Sequence, residues 1–98
     1  MKSVYVASNR LGVVKIGSSG SPEKRIKVIR SEFGRRLGVE QEGYVDFHLA
    51  FQTGLIDNYL EVERLAHRCM KKQFVCVGLD YYVGAKINDA VRAIGNAT

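Results

Sequence analysis

The first thirty residues of the chain limit its folds more than anything that follows them. Residues 3–8, Ser3-Val4-Tyr5-Val6-Ala7-Ser8, are rich in β-branched and aromatic side chains, which suit a pleated, half-buried strand. Asn9-Arg10-Leu11-Gly12 comes next, with asparagine and glycine available for the positive φ of a tight turn. Val13-Val14-Lys15-Ile16-Gly17 then returns as a second strand, so the segment predicts a β-hairpin. After the polar exit Ser18-Ser19-Gly20, the run Ser21-Pro22-Glu23 reads as a helix start. Serine suits the N-cap, proline the first helical position, and glutamate the positive end of the helix dipole. Ile26, Ile29 and Phe33 recur at helical spacing and predict the buried side, while Lys24, Lys27 and Arg30 fall opposite. Gly34 predicts the end of the helix.

The rest of the chain completes one small domain. Residues 35–42 are polar and glycine-bearing and predict a loop. Residues 43–53 alternate, with Tyr44, Asp46, His48, Ala50 and Gln52 on one face and Val45, Phe47, Leu49 and Phe51 on the other, the period of a half-buried strand. A longer helix is expected over 55–73, with Leu55, Tyr59, Val62, Ala66 and Cys69 as its apolar stripe. Residues 74–83 are strand-like with a break near Gly78, and 85–94 predict a last helix facing inward through Ile87, Val91 and Ile94. The fold class that follows is α+β: a small, mostly antiparallel sheet, made of the hairpin plus a third strand, flanked by three helices. A chain of 98 residues suits a single domain spanning 1–98.

Charge separates the two ends. Residues 1–38 hold nine basic and two acidic groups, a net +7, whereas residues 39–98 hold six and eight, a net −2. A basic surface on one side favours a polyanion, with nucleic acid ahead of acidic lipid. Arg10, Lys24, Lys27, Arg30, Arg35 and Arg36 are the candidate nucleic-acid contacts. No apolar run approaches the ~20 residues of a membrane helix, and no signal-peptide pattern opens the chain, so a cytoplasmic protein without a membrane partner is expected. Cys69 and Cys76 lack zinc spacing and read as small buried hydrophobes.

Several side chains carry chemistry. Arg25 lies one turn into the first helix beside Ile26 and Ile29, at the boundary between core and solvent, where a guanidinium suits bidentate phosphate contact. Glu63 borders the apolar stripe of the second long helix, so its carboxylate is paired, protonated or bound to a metal. His67 stands one turn later and can share a site with it, while Glu61 is expected to pair with Arg64 at the surface. Tyr5 and Lys15 lie on adjacent strands of the hairpin and face the same side if the register allows.

Taken together, Val4-Tyr5-Val6, Lys15-Ile16-Gly17 and Arg25 resemble the GIY-YIG nuclease superfamily, and most of all its phage and bacterial branch, where the second tripeptide is commonly Lys-Ile-Gly. Ser18-Ser19, Pro22-Glu23-Lys24-Arg25, Glu63-Arg64-Leu65-Ala66-His67 and Asp80-Tyr81-Tyr82 fit that branch. The resemblance implies that Tyr5 positions or deprotonates the attacking water, that Lys15 stands for a second tyrosine, and that Gly17 lets the backbone pack closely. It further implies that Arg25 stabilises the phosphate, that Glu63 binds one divalent cation, Mg²⁺ or Mn²⁺, and that His67 belongs to the catalytic set. Ser3 replaces the first glycine of the name motif, and Asn88 is the one candidate for an asparagine found in many members. The function implied is a small metal-dependent endonuclease hydrolysing DNA, with RNA as a second candidate partner, and with sequence selectivity that is poor or is supplied by a homo-oligomer or a targeting partner. The alternatives are a non-catalytic nucleic-acid-binding module on the same fold and a protein-interaction module.

Overall fold

The computed structural model describes residues 1–37, 46–78 and 80–98, the side chains of 33–37 excepted. Among these residues the chain runs β1 (Ser3–Ser8), β2 (Val13–Ser19), α1 (Pro22–Leu37), β3 (His48–Gln52), α2 (Tyr59–Gln73), β4 (Val75–Val77), β5 (Tyr81–Val83) and α3 (Ile87–Ala97). The five strands form one antiparallel sheet in the order β3-β1-β2-β5-β4. This is the expected α+β architecture, with the strand-like piece at 74–83 resolved into a hairpin of its own.

The hairpin closes as its residues require. Asn9 Oδ1 accepts the backbone N–H groups of Leu11 and Val13, each at 3.0 Å, and Gly12 takes φ +79°, which only glycine adopts freely. That turn sets the register Tyr5↔Gly17 and Ala7↔Lys15. β1 and β2 are central strands with helices on both sides, so odd and even residues are buried alike. Val4, Val6, Val14, Ile16 and Tyr82 pack with Val62, Ala66 and Met70 of α2 and with Ala90, Ala93 and Ile94 of α3. Tyr5, Ala7, Val13 and Tyr81 pack with Ile26 and Ile29 of α1 and with Phe47. Each buried aliphatic side chain of this kind contributes about 1.5–3 kcal/mol relative to exposure.

Several boundaries and faces differ from expectation. β2 extends through Ser18 and Ser19, which the sequence marked as a flexible exit, because Val4 and Ser3 continue to pair with them. α1 continues past Gly34 to Leu37; a glycine inside a helix costs only about 1 kcal/mol. The third strand is shorter than 43–53, and it carries a bulge. Val6 pairs with Phe51 but Ala7 with Leu49, so Ala50 is the extra residue. Phe47 and Leu49 therefore face α1, while Phe51 turns to the opposite core, which breaks the single apolar face that alternation predicts. Leu55 is exposed and precedes α2, and the buried stripe is Val62, Ala66 and Met70. Cys69 and Cys76 are half-buried free thiols, not core residues. In α3 the small residues Ala90 and Ala93 replace Ile87 and Val91 as the fully buried contacts, letting the helix sit close to its neighbours. The side chain of Phe33, expected to face inward, and residues 38–45, expected to form a loop and the start of the third strand, lie outside the described residues. No helix among the described residues is long and apolar enough to cross a membrane.

Candidate active site

The site is built on the paired ends of β1 and β2. Tyr5 and Gly17 are direct cross-strand partners, and the tyrosine ring, 1% exposed, lies across the bare glycine backbone. A Cβ at position 17 would stand 2.6 Å from the Tyr5 hydroxyl and 2.8 Å from Cζ, inside any allowed contact. Gly17→Ala is therefore expected to cost about 1–3 kcal/mol by overpacking. Urea unfolding checks this, and in a Tyr5→Leu background the same substitution should cost less than half as much. Equal costs in the two backgrounds would place the strain elsewhere.

Arg25 reaches the same tyrosine from α1. The Ser21 carbonyl accepts the Arg25 N–H at 3.2 Å, and Ser19 Oγ accepts the Ser21 N–H at 3.0 Å, so the end of β2 and the first turn of α1 are tied together. The guanidinium contacts Glu32 at 3.4 Å and keeps 37% of its side chain exposed. Burial pushes the Tyr5 hydroxyl up to about 12, against the hydrogen bond and charge of Arg25. The phenol thus holds its proton at neutral pH. A phenol that keeps its proton offers a hydrogen bond.

Lys15 does not face solvent. Its ammonium is ion-paired with Asp80 and only 3% exposed, and it stands 5.2 Å from the Tyr81 ring centre and 5.9 Å from that of Tyr5. Lys15 and Tyr5 share a face, as expected, but the lysine braces the site from within and is not open to a phosphate. Asp80 Oδ1 is buried without a hydrogen-bond partner among the described residues.

Glu63 comes from the other side of the sheet and points at the hairpin. Its Oε2 accepts a hydrogen bond from Ser18 Oγ at 2.7 Å, and its Oε1 lies 3.8 Å from His67 Nε2. Burial works against its charge, but hydrogen bonds from His67 and Ser18 and the charges of His67 and Lys15 hold the carboxyl below its usual value. His67 Nδ1 in turn meets the Tyr82 hydroxyl, and the two rings stack at 5.6 Å. Burial raises the Tyr82 pKa, so Tyr82 keeps its proton. The contact at Nδ1 turns the Nε2 edge of the imidazole toward Glu63. The order Ser18–Glu63–His67–Tyr82 runs from β2 through α2 to β5.

The two halves form one electrostatic unit. The charge of Glu63 acts on Tyr5, and that of Lys15 acts on Glu63. An ionised, quarter-exposed carboxylate beside a hydroxyl is a hard oxygen donor set. Among the described residues no three His, Cys, Asp or Glu side chains cluster. A single carboxylate is what a cation of the Mg²⁺ kind takes from a protein when it keeps most of its waters.

The basic residues expected on α1 and the turn divide. Lys24 and Lys27 are exposed. Arg10 is paired with Asp46 at 2.9 Å, and Arg30 Nε donates to the Phe47 carbonyl at 2.9 Å, so both hold the chain around residue 46. The side chains of Arg35 and Arg36 lie outside the described residues. Glu61 and Arg64 make no ion pair among the described residues, against expectation, and Asn88 is exposed on α3. Three participants were not singled out for their roles: Ser18 as the partner of Glu63, Asp80 as the counterion of Lys15, and Tyr82 as the partner of His67. Alternation along β5 carried the signal for Tyr82, since a strand that sends Tyr81 to α1 must send Tyr82 to α2.

A family model, the T5orf172 domain, matches residues 2–79. That span contains Tyr5, Lys15, Gly17, Ser18, Arg25, Glu63 and His67. Neither the curated proteins nor the solved structures contain a match to the chain.

Proposed function

The chain belongs to the T5orf172 domain family, and we propose that it is a small metal-dependent endonuclease of GIY-YIG type that hydrolyses phosphodiester bonds in DNA. The observation that carries this reading is the approach of Glu63 to the end of the hairpin through Ser18, at 2.7 Å, on the strand next to Tyr5 and its guanidinium neighbour. A carboxylate, a guanidinium and a protonated phenol in electrical contact are the groups that a phosphoryl centre needs.

Their roles follow from their states. Arg25, partly exposed and held at the start of α1, binds the non-bridging oxygens and offsets the charge that grows on them. Tyr5 donates its hydrogen bond to the same group or to the incoming oxygen. Glu63 would hold Mg²⁺ or Mn²⁺, and such an ion would supply charge neutralisation and a more acidic attacking water. His67, oriented by Tyr82, directs Nε2 toward Glu63 and fixes the carboxylate. Lys15 and Asp80 keep Tyr5 and Tyr81 in place. The proton that Tyr5 retains also favours a second reading, a module that binds nucleic acid without cutting it.

Supercoiled plasmid separates the two. The protein with Mg²⁺ or Mn²⁺ is expected to convert it to the open-circular form. Arg25→Ala is expected to slow this by about 10²-fold, the lower end for loss of one charge-stabilising donor. Salt-sensitive binding with no nicking under either metal would favour the second reading and end the first.

A further inference from the structure

The basic groups of the first 38 residues are expected to meet nucleic acid, yet Arg10, Lys15 and Arg30 are used internally and a different surface is free. Arg64, His67, Arg68, Lys71 and Lys72 line one open groove along α2. Their spacing of three, four, seven and eight from Arg64 puts them on one helical face. The four cations are exposed, and none makes an ion pair among the described residues. Lys71 and Lys72 stand in the last turn, where the helix dipole alone would favour them. Arg64 and Arg68 are mid-helix, and the dipole gives no reason for them.

We infer that this face of α2 is the track along which the sugar–phosphate backbone of a nucleic acid lies, leading into the Glu63 site. The inference rests on the nuclease reading for the identity of the ligand and adds where it docks. From Arg64 to Lys72 the helix rises about 12 Å, which spans about three or four phosphates of one strand at ~3.4 Å each along the axis. The track and the site share a residue. His67 lines the groove, and its ring touches Tyr82 and faces Glu63. A backbone held by Arg68, Lys71 and Lys72 is thereby aimed at the one carboxylate of the helix that is already hydrogen-bonded to the hairpin. Free guanidinium and ammonium groups in a row along one helical face suit a regular polyphosphate better than the scattered carboxylates of an acidic protein surface.

Salt dependence of binding reads this directly. A fluorescent 20-base-pair duplex is titrated with the full chain across NaCl concentrations. The comparison sets Arg68→Ala/Lys71→Ala/Lys72→Ala against Lys24→Ala/Lys27→Ala on α1. All five positions are exposed and alanine favours helices, so both variants should keep the fold, as circular dichroism checks. Loss of three phosphate contacts is expected to reduce the slope of log K against log[salt] by about 2.7 in the α2 variant, with a smaller change in the α1 variant. If the α2 variant keeps the parent slope while the parent binds or nicks DNA, the track lies elsewhere and the nuclease reading stands. If the parent does not bind the duplex but does bind polyglutamate, both are overturned.

Discussion

Glu63→Gln is expected to lower plasmid nicking by about 10³-fold or more, since it removes the carboxylate proposed to hold the divalent cation. The substitution keeps the side chain's size, and its amide oxygen still accepts from Ser18 Oγ. The position borders the core without belonging to it, with 24% of the side chain exposed. Thermal stability should therefore stay within a few degrees of the parent. Raising Mg²⁺ tenfold should not restore the rate, because the missing element is the ligand's negative charge. A variant that nicks at the parental rate would remove Glu63 from the chemistry, whatever Arg25→Ala does.

The largest effect on stability is expected at Asp80, where Asp80→Asn leaves the Lys15 ammonium, 3% exposed, without its counterion. Breaking such a pair from one side costs about 3–5 kcal/mol; the retained amide oxygen and the flanking Tyr5 and Tyr81 rings put the expectation near the low end. For a domain of this size that lowers Tm by more than about 10 °C. Lys15→Met should cost less, since Asp80 is 26% exposed and water can reach the stranded carboxylate. Lys15→Met/Asp80→Asn should recover most of the loss, because an apolar side chain among two tyrosines carries no desolvation penalty. Differential scanning calorimetry of the four proteins completes the cycle. A cost for Lys15→Met above that for Asp80→Asn would reverse the assignment of which charge is stranded.

The elements most legible in the sequence were those specified by local chemistry. The β1–β2 hairpin was set by the Asn9–Gly12 turn and the α1 start by Ser21-Pro22; β1, the turn and the helix start match to the residue, and β2 runs two residues further than expected. Val62 and Ala66 of the α2 stripe were legible, because helical period and burial agree there, whereas Met70 and not Cys69 is the buried residue of the next turn. Glu63 at its border was likewise readable from spacing alone. What failed needed information from across the sheet. The bulge at Ala50 depends on how β3 pairs with β1, so the alternation at 47–51 could not reveal that Phe51 changes face. Lys15 is next to a solvent-exposed turn in sequence, and only the return of β5, sixty-five residues later, supplies the carboxylate that buries it. The basic face of α2 was hidden by addition. The second part of the chain sums to −2, yet the acids and bases of α2 are segregated along the helix, with Glu61 and Glu63 at one end and the cations beyond.

The short strand β5 has a consequence of its own. Tyr81 faces α1 beside Lys15, and Tyr82 faces α2 beside His67, so one strand supplies a post to each half of the site. A slip of β5 by one residue that put Tyr82 in the place of Tyr81 would keep a tyrosine beside Lys15 but bring Val83 into the buried place of Tyr82. Asp80 would leave Lys15 in the same movement, and His67 would lose the hydroxyl that orients it. The strand is a single keystone for two arches: the molecule assembles both halves of its machinery or neither, and the core on the α2 side would lose a buried ring with them.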